Sequence, residues 1–141
     1  MDYRSDKPLR DNERNLIELL QSLDEKYPNL LIVVEGKRDV QILRNLGVNA
    51  RIVMTQTRRT RDQLIDYIAS QAADSKEVLL LTDFDAEGSE IAAYLKKGLE
   101  HHKTRILDGL RYRIRNLMGN WRCIEEMVAL FKRFDSPEPS R

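Results

Sequence analysis

The sequence predicts an α/β fold in three layers, with a short, mainly parallel sheet covered on both faces by helices. Two apolar runs of strand length, LLIVV at 30–34 and VLLL at 78–81, are continuous rather than alternating, as in strands buried on both faces. Each run is followed by an acidic turn, a glycine and a helix-period pattern. Strand and helix then alternate along the chain, which calls for right-handed crossovers and a parallel sheet. At 141 residues the chain suits one core, so residues 1–141 are read as a single domain.

Leu16, Ile17, Leu19, Leu20 and Leu23 recur at helical spacing and predict an amphipathic helix over 11–26, stopped by Pro28 and Asn29. Strand 30–34 follows. Val40, Leu43 and Leu46 then mark a second helix, with Gly47 as its cap. Ile52, Val53 and Met54 predict a short strand leading into the polar segment 55–61. Thr60 and Gln63 have capping-box spacing ahead of Leu64, Ile65, Ile68 and Ala72, so a third helix is expected to start near 61. Strand 78–81 comes next, and Ile91, Ala92, Leu95 and Leu99 give the helix after it. In LRYRIRNLM the apolar residues alternate with arginines as in a strand, yet Arg111 and Arg115 share one helical face; helix is the reading favoured. Trp121, Ile124, Met127, Val128 and Phe131 predict a terminal helix, so 105–134 is taken as a C-terminal helical extension, and SPEPSR as a frayed end.

Hydrophobic residues make up 41% and charged residues 33%, which fits a globular protein and argues against disorder. No apolar run approaches the roughly 18–20 residues of a membrane span, and MDYRSDKPLRDNER lacks the apolar centre of a signal peptide, so a cytoplasmic protein with no membrane partner is expected. Cys123 is the single cysteine, which excludes an internal disulfide and a cysteine-based zinc cluster; it is read as a packed thiol. Twenty-four basic residues nearly cancel 23 acidic ones, for a net charge of +1. Their distribution says more. Arg58, Arg59 and Arg61 crowd a loop feeding a helix N-terminus, and Arg111, Arg113, Arg115 and Arg122 crowd the tail; such clusters suit phosphates as well as a solvated surface.

The acidic turns carry the chemistry. Glu35 directly follows one buried strand, while Asp83 and Asp85 follow the other. Ligands of open parallel sheets bind outside the carboxyl ends of the strands, so if the two strands are neighbours the three carboxylates converge. Two unit charges about 4 Å apart repel by about 4 kcal/mol at an effective dielectric near ~20, so such a cluster needs a counterion. Hard oxygen donors without nearby His or Cys point to Mg²⁺ or Mn²⁺, one or two ions. Gly36 is expected to give the turn after Glu35 a conformation closed to other residues, and Gly88 to let its helix begin close beneath the acidic loop. A helix N-terminus beside a metal also suits a phosphate.

LLIVVEGKRDVQILRNLGV and VLLLTDFDAEGSEIAAYL resemble the two motifs of Toprim domains, shared by bacterial-type primases, type IA and type II topoisomerases, OLD-type nucleases and M5-type ribonucleases. The resemblance covers about residues 28–100, which would make that span a Toprim-like (Rossmann-like) core. The short chain is most similar to the small stand-alone Toprim proteins of archaea. By that resemblance Glu35 does general acid or base work or contacts metal, and Asp83 and Asp85 bind Mg²⁺. Lys37 and Asp39 complete the VEGKRD match; Lys37 is read either as a phosphate contact or as a surface charge in the first helical turn, and Asp39 as a local cap or pair. Glu87 extends the match towards topoisomerases or simply favours its helix start. His101 and His102 are read as surface residues, and Trp121 and the tyrosines as core or half-buried anchors.

The resemblance implies a Mg²⁺-dependent protein acting on nucleic-acid phosphodiesters, RNA or DNA, in the manner of a nuclease or ribonuclease. Glu35 would move the proton, and Arg58, Arg59 and Arg61, followed by the tail arginines, would hold flanking phosphates. The alternative is a non-catalytic nucleic-acid-binding module of a larger processing complex; a homodimer is also open. Topoisomerase and primase activities are not expected, since in those relatives they depend on separate nucleophile-bearing, template-handling and zinc-binding parts. A haloacid-dehalogenase-like phosphatase is disfavoured because Glu87 replaces that family's usual threonine.

Overall fold

The computed structural model describes residues 9–72 and 77–132. In chain order the elements are α1 (Asp11–Gln21), α2 (Leu23–Lys26), β1 (Leu30–Val34), α3 (Lys37–Asn45), β2 (Arg51–Met54), α4 (Arg61–Gln71), β3 (Glu77–Leu80), α5 (Ala86–Glu100), β4 (Arg105–Ile106), α6 (Asp108–Met118) and a 3₁₀ segment (Ile124–Lys132). The four strands make one sheet in the order β2-β1-β3-β4, and every pair is parallel. This is the three-layer α/β architecture expected from the apolar runs.

Every residue of β1 is buried, because each face of the sheet has its own helical layer. Ile32, Val34, Leu79 and Leu81 point into one core with Leu16 and Leu20 of α1, Leu43 of α3 and Ile114 and Met118 of α6. Leu31, Val33, Val78 and Leu80 point the other way, into a core with Leu64 and Ile68 of α4 and Leu95 and Leu99 of α5. Continuous burial removes the usual polar alternation, which is why these strands read as unbroken apolar runs.

Local signals placed the helix ends well. Thr60 and Gln63 form the expected reciprocal cap, with Gln63 N–H donating to Thr60 Oγ1 at 3.2 Å and Thr60 N–H to Gln63 Oε1 at 3.0 Å. Gly47 has φ +94°, and the N–H groups of Gly47 and Val48 return to the carbonyls of Arg44 and Leu43, closing α3 as a glycine cap should.

Three elements differ from expectation. The helix anticipated over 11–26 breaks at Ser22, whose hydroxyl donates to the Leu19 carbonyl at 2.7 Å and competes with helix continuation. The segment after 105 opens with a two-residue strand rather than a helix, since Glu77 and Val78 of β3 offer it a partner. The last element is a 3₁₀ rather than an α-helix. At three residues per turn Ile124, Met127 and Leu130 line up and are buried, whereas Val128 is turned out to 48% exposure. The side chain of Phe131, residues 133–134 and SPEPSR lie outside the described residues.

Candidate functional site

The chain leaves β1 towards β2 on one side of the sheet, while β3 and β4 lie on the other side, so β1 and β3 meet at the point where the order reverses. Their carboxyl ends open a crevice there. Glu35, the first residue past β1, reaches across it. Its Oε2 accepts a hydrogen bond of 2.6 Å from the backbone N–H of Asp83. The two acidic turns, 48 residues apart in sequence, are thus tied together directly. A cleft of about 320 Å³ opens beside them, lined by Glu35, Lys37, Asp39, Gln56, Asp83 and Glu125 among others.

The charge balance of this cleft is one-sided. Burial first, then the charges of Glu35, Asp39 and Asp85, push the Asp83 carboxyl up to about 7. Asp39, only 6% exposed, is also raised, by burial foremost, and it accepts the Gly36 N–H at 3.1 Å as a local cap. Asp39 therefore has the capping role expected of it.

Asp85 is arranged differently. It is the N-cap of α5, and its Oδ1 accepts the Gly88 N–H at 2.7 Å. Among the described residues no group of three His, Cys, Asp or Glu side chains stands in a metal-holding arrangement. Glu35 and Asp83 are brought together; Asp85 faces the helix it caps. The donor set still fits a hard cation. Mg²⁺ needs only one or two carboxylates, with water and substrate phosphates completing its shell. Burial first and its anionic neighbours second raise the Asp83 carboxyl to about 7, and a cation beside it would offset both.

The Asp83–Asp85 loop is held from three directions. A Cβ on Gly88 would overlap the Asp83 carbonyl and stand 2.8 Å from the Asp83 Cα, so only glycine lets α5 start this close. The fully buried Thr82 hydroxyl donates to the Gly88 carbonyl at 2.7 Å. Arg111 of α6 reaches under the loop: Nη1 donates to the Leu80 and Thr82 carbonyls at 2.9 Å each, and Nη2 to that of Asp83 at 3.2 Å. Its guanidinium lies 4.6 Å from the Phe84 ring centre, and burial lowers its pKa. Arg111 was expected among the phosphate-binding tail arginines; the structure instead places three of its N–H donors on backbone carbonyls. The sequence did contain its signal. Leu107 at the N-cap and Ile114 and Met118 on α6 are buried, and Arg111 sits between Leu107 and Ile114 in the same stripe, where an apolar residue would be ordinary.

A second wall comes from the C-terminal segment. Phe84 N–H donates to the Arg122 carbonyl, Glu125 Oε1 pairs with Arg38 Nη1 at 2.8 Å, and the half-buried Cys123 thiol faces the same cleft. Burial is the largest of the causes that raise Cys123 to about 11. Gly36, by contrast, does not need glycine for its backbone. Its φ of −143° is ordinary extended chain, and an added Cβ would meet only the Gln56 side-chain oxygen, at 2.6 Å. The turn is formed instead by Asp39 capping Gly36.

Lys37 is exposed at the first position of α3 and lines the cleft. The arginine loop begins beside the site, with Gln56 N–H donating to the Glu35 carbonyl at 3.0 Å. Arg58 is exposed, Arg59 lies 3.8 Å over the Tyr67 ring, and Arg61 lies 4.5 Å over Tyr94 while pairing with Glu90 at 2.9 Å. The two histidines are exposed, as expected, and Trp121, Tyr27, Tyr67 and Tyr94 pack part-buried against the cores.

The Toprim domain family profile matches residues 30–114, which contain both strand-end turns, α5 and Arg111. The chain belongs to the Toprim family. A UPF0292 protein of Thermococcus sibiricus is 33% identical over 89% of this chain and 95% of its own length. Those of Thermococcus gammatolerans, at 36% over 86% of each chain, and Archaeoglobus fulgidus, at 33% over 86% of this chain and 93% of its own, are similar as well. All three are archaeal. A solved structure of an Aquifex aeolicus protein superposes with a TM-score of 0.67 at 25% identity, covering 80% of this chain and 98% of that one. Membership places this Toprim protein among domains of metal-dependent, nucleic-acid-related function. No helix among the described residues is long and apolar enough to cross a membrane.

Proposed function

We propose that this Toprim protein is a Mg²⁺- or Mn²⁺-dependent enzyme that cleaves nucleic-acid phosphodiesters, as a nuclease or ribonuclease. The observation that carries the reading is the 2.6 Å bond from Asp83 N–H to the Glu35 carboxylate, which ties the two acidic turns together at one mouth of the sheet. Asp83 and Glu35 would hold the ion, with Asp85 adding its charge from the α5 N-cap. When bound, the ion supplies Lewis acidity towards a phosphoryl oxygen and an activated water.

The chain's own groups do the rest. Glu35 has one oxygen on the Asp83 amide, which orients its carboxylate across the cleft for proton transfer at the other. Lys37 at the start of α3 meets a phosphate at the cleft entrance. Arg58, Arg59 and Arg61 hold flanking phosphates, and the two tyrosines beneath Arg59 and Arg61 reduce the entropy lost on binding.

The test is incubation of the purified chain with labelled single-stranded, duplex and structured RNA and DNA, in Mg²⁺, Mn²⁺ or chelator. Metal-dependent cleavage is expected. Glu35→Gln should keep metal binding by calorimetry and lose activity on the order of a hundredfold or more. Asp83→Asn should lose the metal itself. A fully active Glu35→Gln variant overturns the assignment, and tight binding without cleavage in any metal points to the binding-module alternative.

A further inference from the structure

Tyr112 of α6 is 64% exposed, which corrects for this residue the expectation of a core or half-buried anchor that Tyr27, Tyr67 and Tyr94 meet. Asp108, Arg111, Tyr112 and Arg115 follow at helical spacing along one face of α6, and that face, with Phe84 and Ser89, lines a second cavity of about 300 Å³. The wall opposite α6 is the acidic loop itself, because Phe84 stands between Asp83 and Asp85 and Ser89 belongs to the first turns of α5. The charges here are already sorted. Asp108 pairs with Lys96, and Arg111 donates to the three carbonyls beneath the loop, which leaves the exposed Arg115 as the cation facing the opening.

We propose that this cavity is a subsite for one unpaired nucleotide of the strand whose phosphodiester lies at Glu35 and Asp83, with the base stacked on Tyr112 and its phosphate on Arg115. The inference rests on the nucleic-acid reading above and adds a substrate class to it: single strands, overhangs and loops. Residues three apart on a helix present side chains roughly 5–6 Å apart, the scale on which a base and its own phosphate are separated. Volume agrees, since about 300 Å³ is at the small end of ligand pockets and suits one nucleotide rather than a helix. A paired base has both faces covered by its neighbours and cannot use an exposed ring, whereas an unpaired one stacks on it regardless of sequence.

The experiment measures fluorescence anisotropy of the full chain with a labelled single strand and with its duplex, in chelator so that nothing is cut, across a salt series. The wild type should favour the single strand. Tyr112→Ala should weaken single-strand binding on the order of tenfold and leave duplex binding unchanged, with Tyr112→Phe restoring it, as base stacking is worth about 1–3 kcal/mol. Arg115→Ala should weaken single-strand binding and flatten its salt dependence. Single-strand binding by Tyr112→Ala at wild-type strength, or an equal loss on duplex, overturns the subsite while leaving the nucleic-acid reading standing. A wild-type chain that binds neither form overturns both. Tyr112 is exposed, so circular dichroism of its variants should match the wild type.

Discussion

The two acidic turns look alike in sequence, each a buried strand followed by carboxylate, glycine and helix, yet they are built on different principles. At the end of β1 the backbone is ordinary: Gly36 is extended, its absent Cβ would touch only a flexible glutamine, and the capping Asp39 sets the turn. The Glu35 side chain is the element that reaches out. At the end of β3 the backbone is over-determined, with Gly88 against Asp83, Thr82 bonded to Gly88 and Arg111 bonded to three successive-region carbonyls. The first turn sends out a side chain that is tied at one oxygen to the Asp83 amide; the second holds Asp83 and Asp85 on a backbone braced by Gly88, Thr82 and Arg111. Under the proposed function, that division would separate holding a cation from moving a proton.

The comparison breaks most visibly at the glycines. Gly88→Ala drives a methyl into the Asp83 backbone, and overpacking of this kind costs about 1–3 kcal/mol or more. Gly36→Ala needs only a shift of the Gln56 side chain and should change stability by less than about 1 kcal/mol. Urea unfolding of both variants, with Mn²⁺ titration calorimetry, checks this; equal costs would mean that the two turns are equally strained.

Arg111→Ala tests the clamp. Losing charged hydrogen bonds to buried carbonyls should cost roughly 1.5–3 kcal/mol and loosen the Asp83 loop, lowering metal affinity beyond what the stability loss explains. Arg111→Lys keeps the charge but not the fork, and should recover only part of the affinity. If Arg111→Ala binds Mn²⁺ like the wild type, the frame does not depend on it.

The smallest effect is electrostatic. With its pKa raised to about 7, Asp83 favours the folded metal-free protein in its protonated form. That contribution is present at pH values below the ordinary carboxylate range and is lost as pH rises through about 7. Stability of the metal-free chain should therefore decline between pH 5 and pH 8, by an amount moderated because the group is partly solvated. Asp83→Asn should flatten that decline and melt higher than wild type near pH 8. Thermal melts in chelator at several pH values decide it, and an unchanged slope in Asp83→Asn would move the strain to another carboxylate.

Sequence by itself determined whatever depends on neighbours a few residues apart or on burial of a whole segment. The apolar runs of β1 and β3 announced a two-faced parallel sheet, because a strand covered on both sides has no polar face to alternate with. Thr60 with Gln63, and Gly47 after α3, could be read directly, because caps are satisfied within three to five residues. The order of acidic turns pointed to Glu35, Asp83 and Asp85 as one neighbourhood. Tertiary structure decided how these groups divide the work. Asp85 had two possible partners, a cation or the amides of α5, and the N-cap geometry takes one of its oxygens. Arg111 acts on carbonyls 28 to 31 residues earlier, a partnership no local pattern encodes. β4 is two residues long, too short for any periodicity, and exists only because β3 has an open edge. The wall made by Cys123 and Glu125, and the outward face of Tyr112, follow from where α6 and the 3₁₀ segment dock on α3 and β3. A helix pattern states which stripe is buried, but the side chains beside that stripe receive their surroundings only when the layers come together.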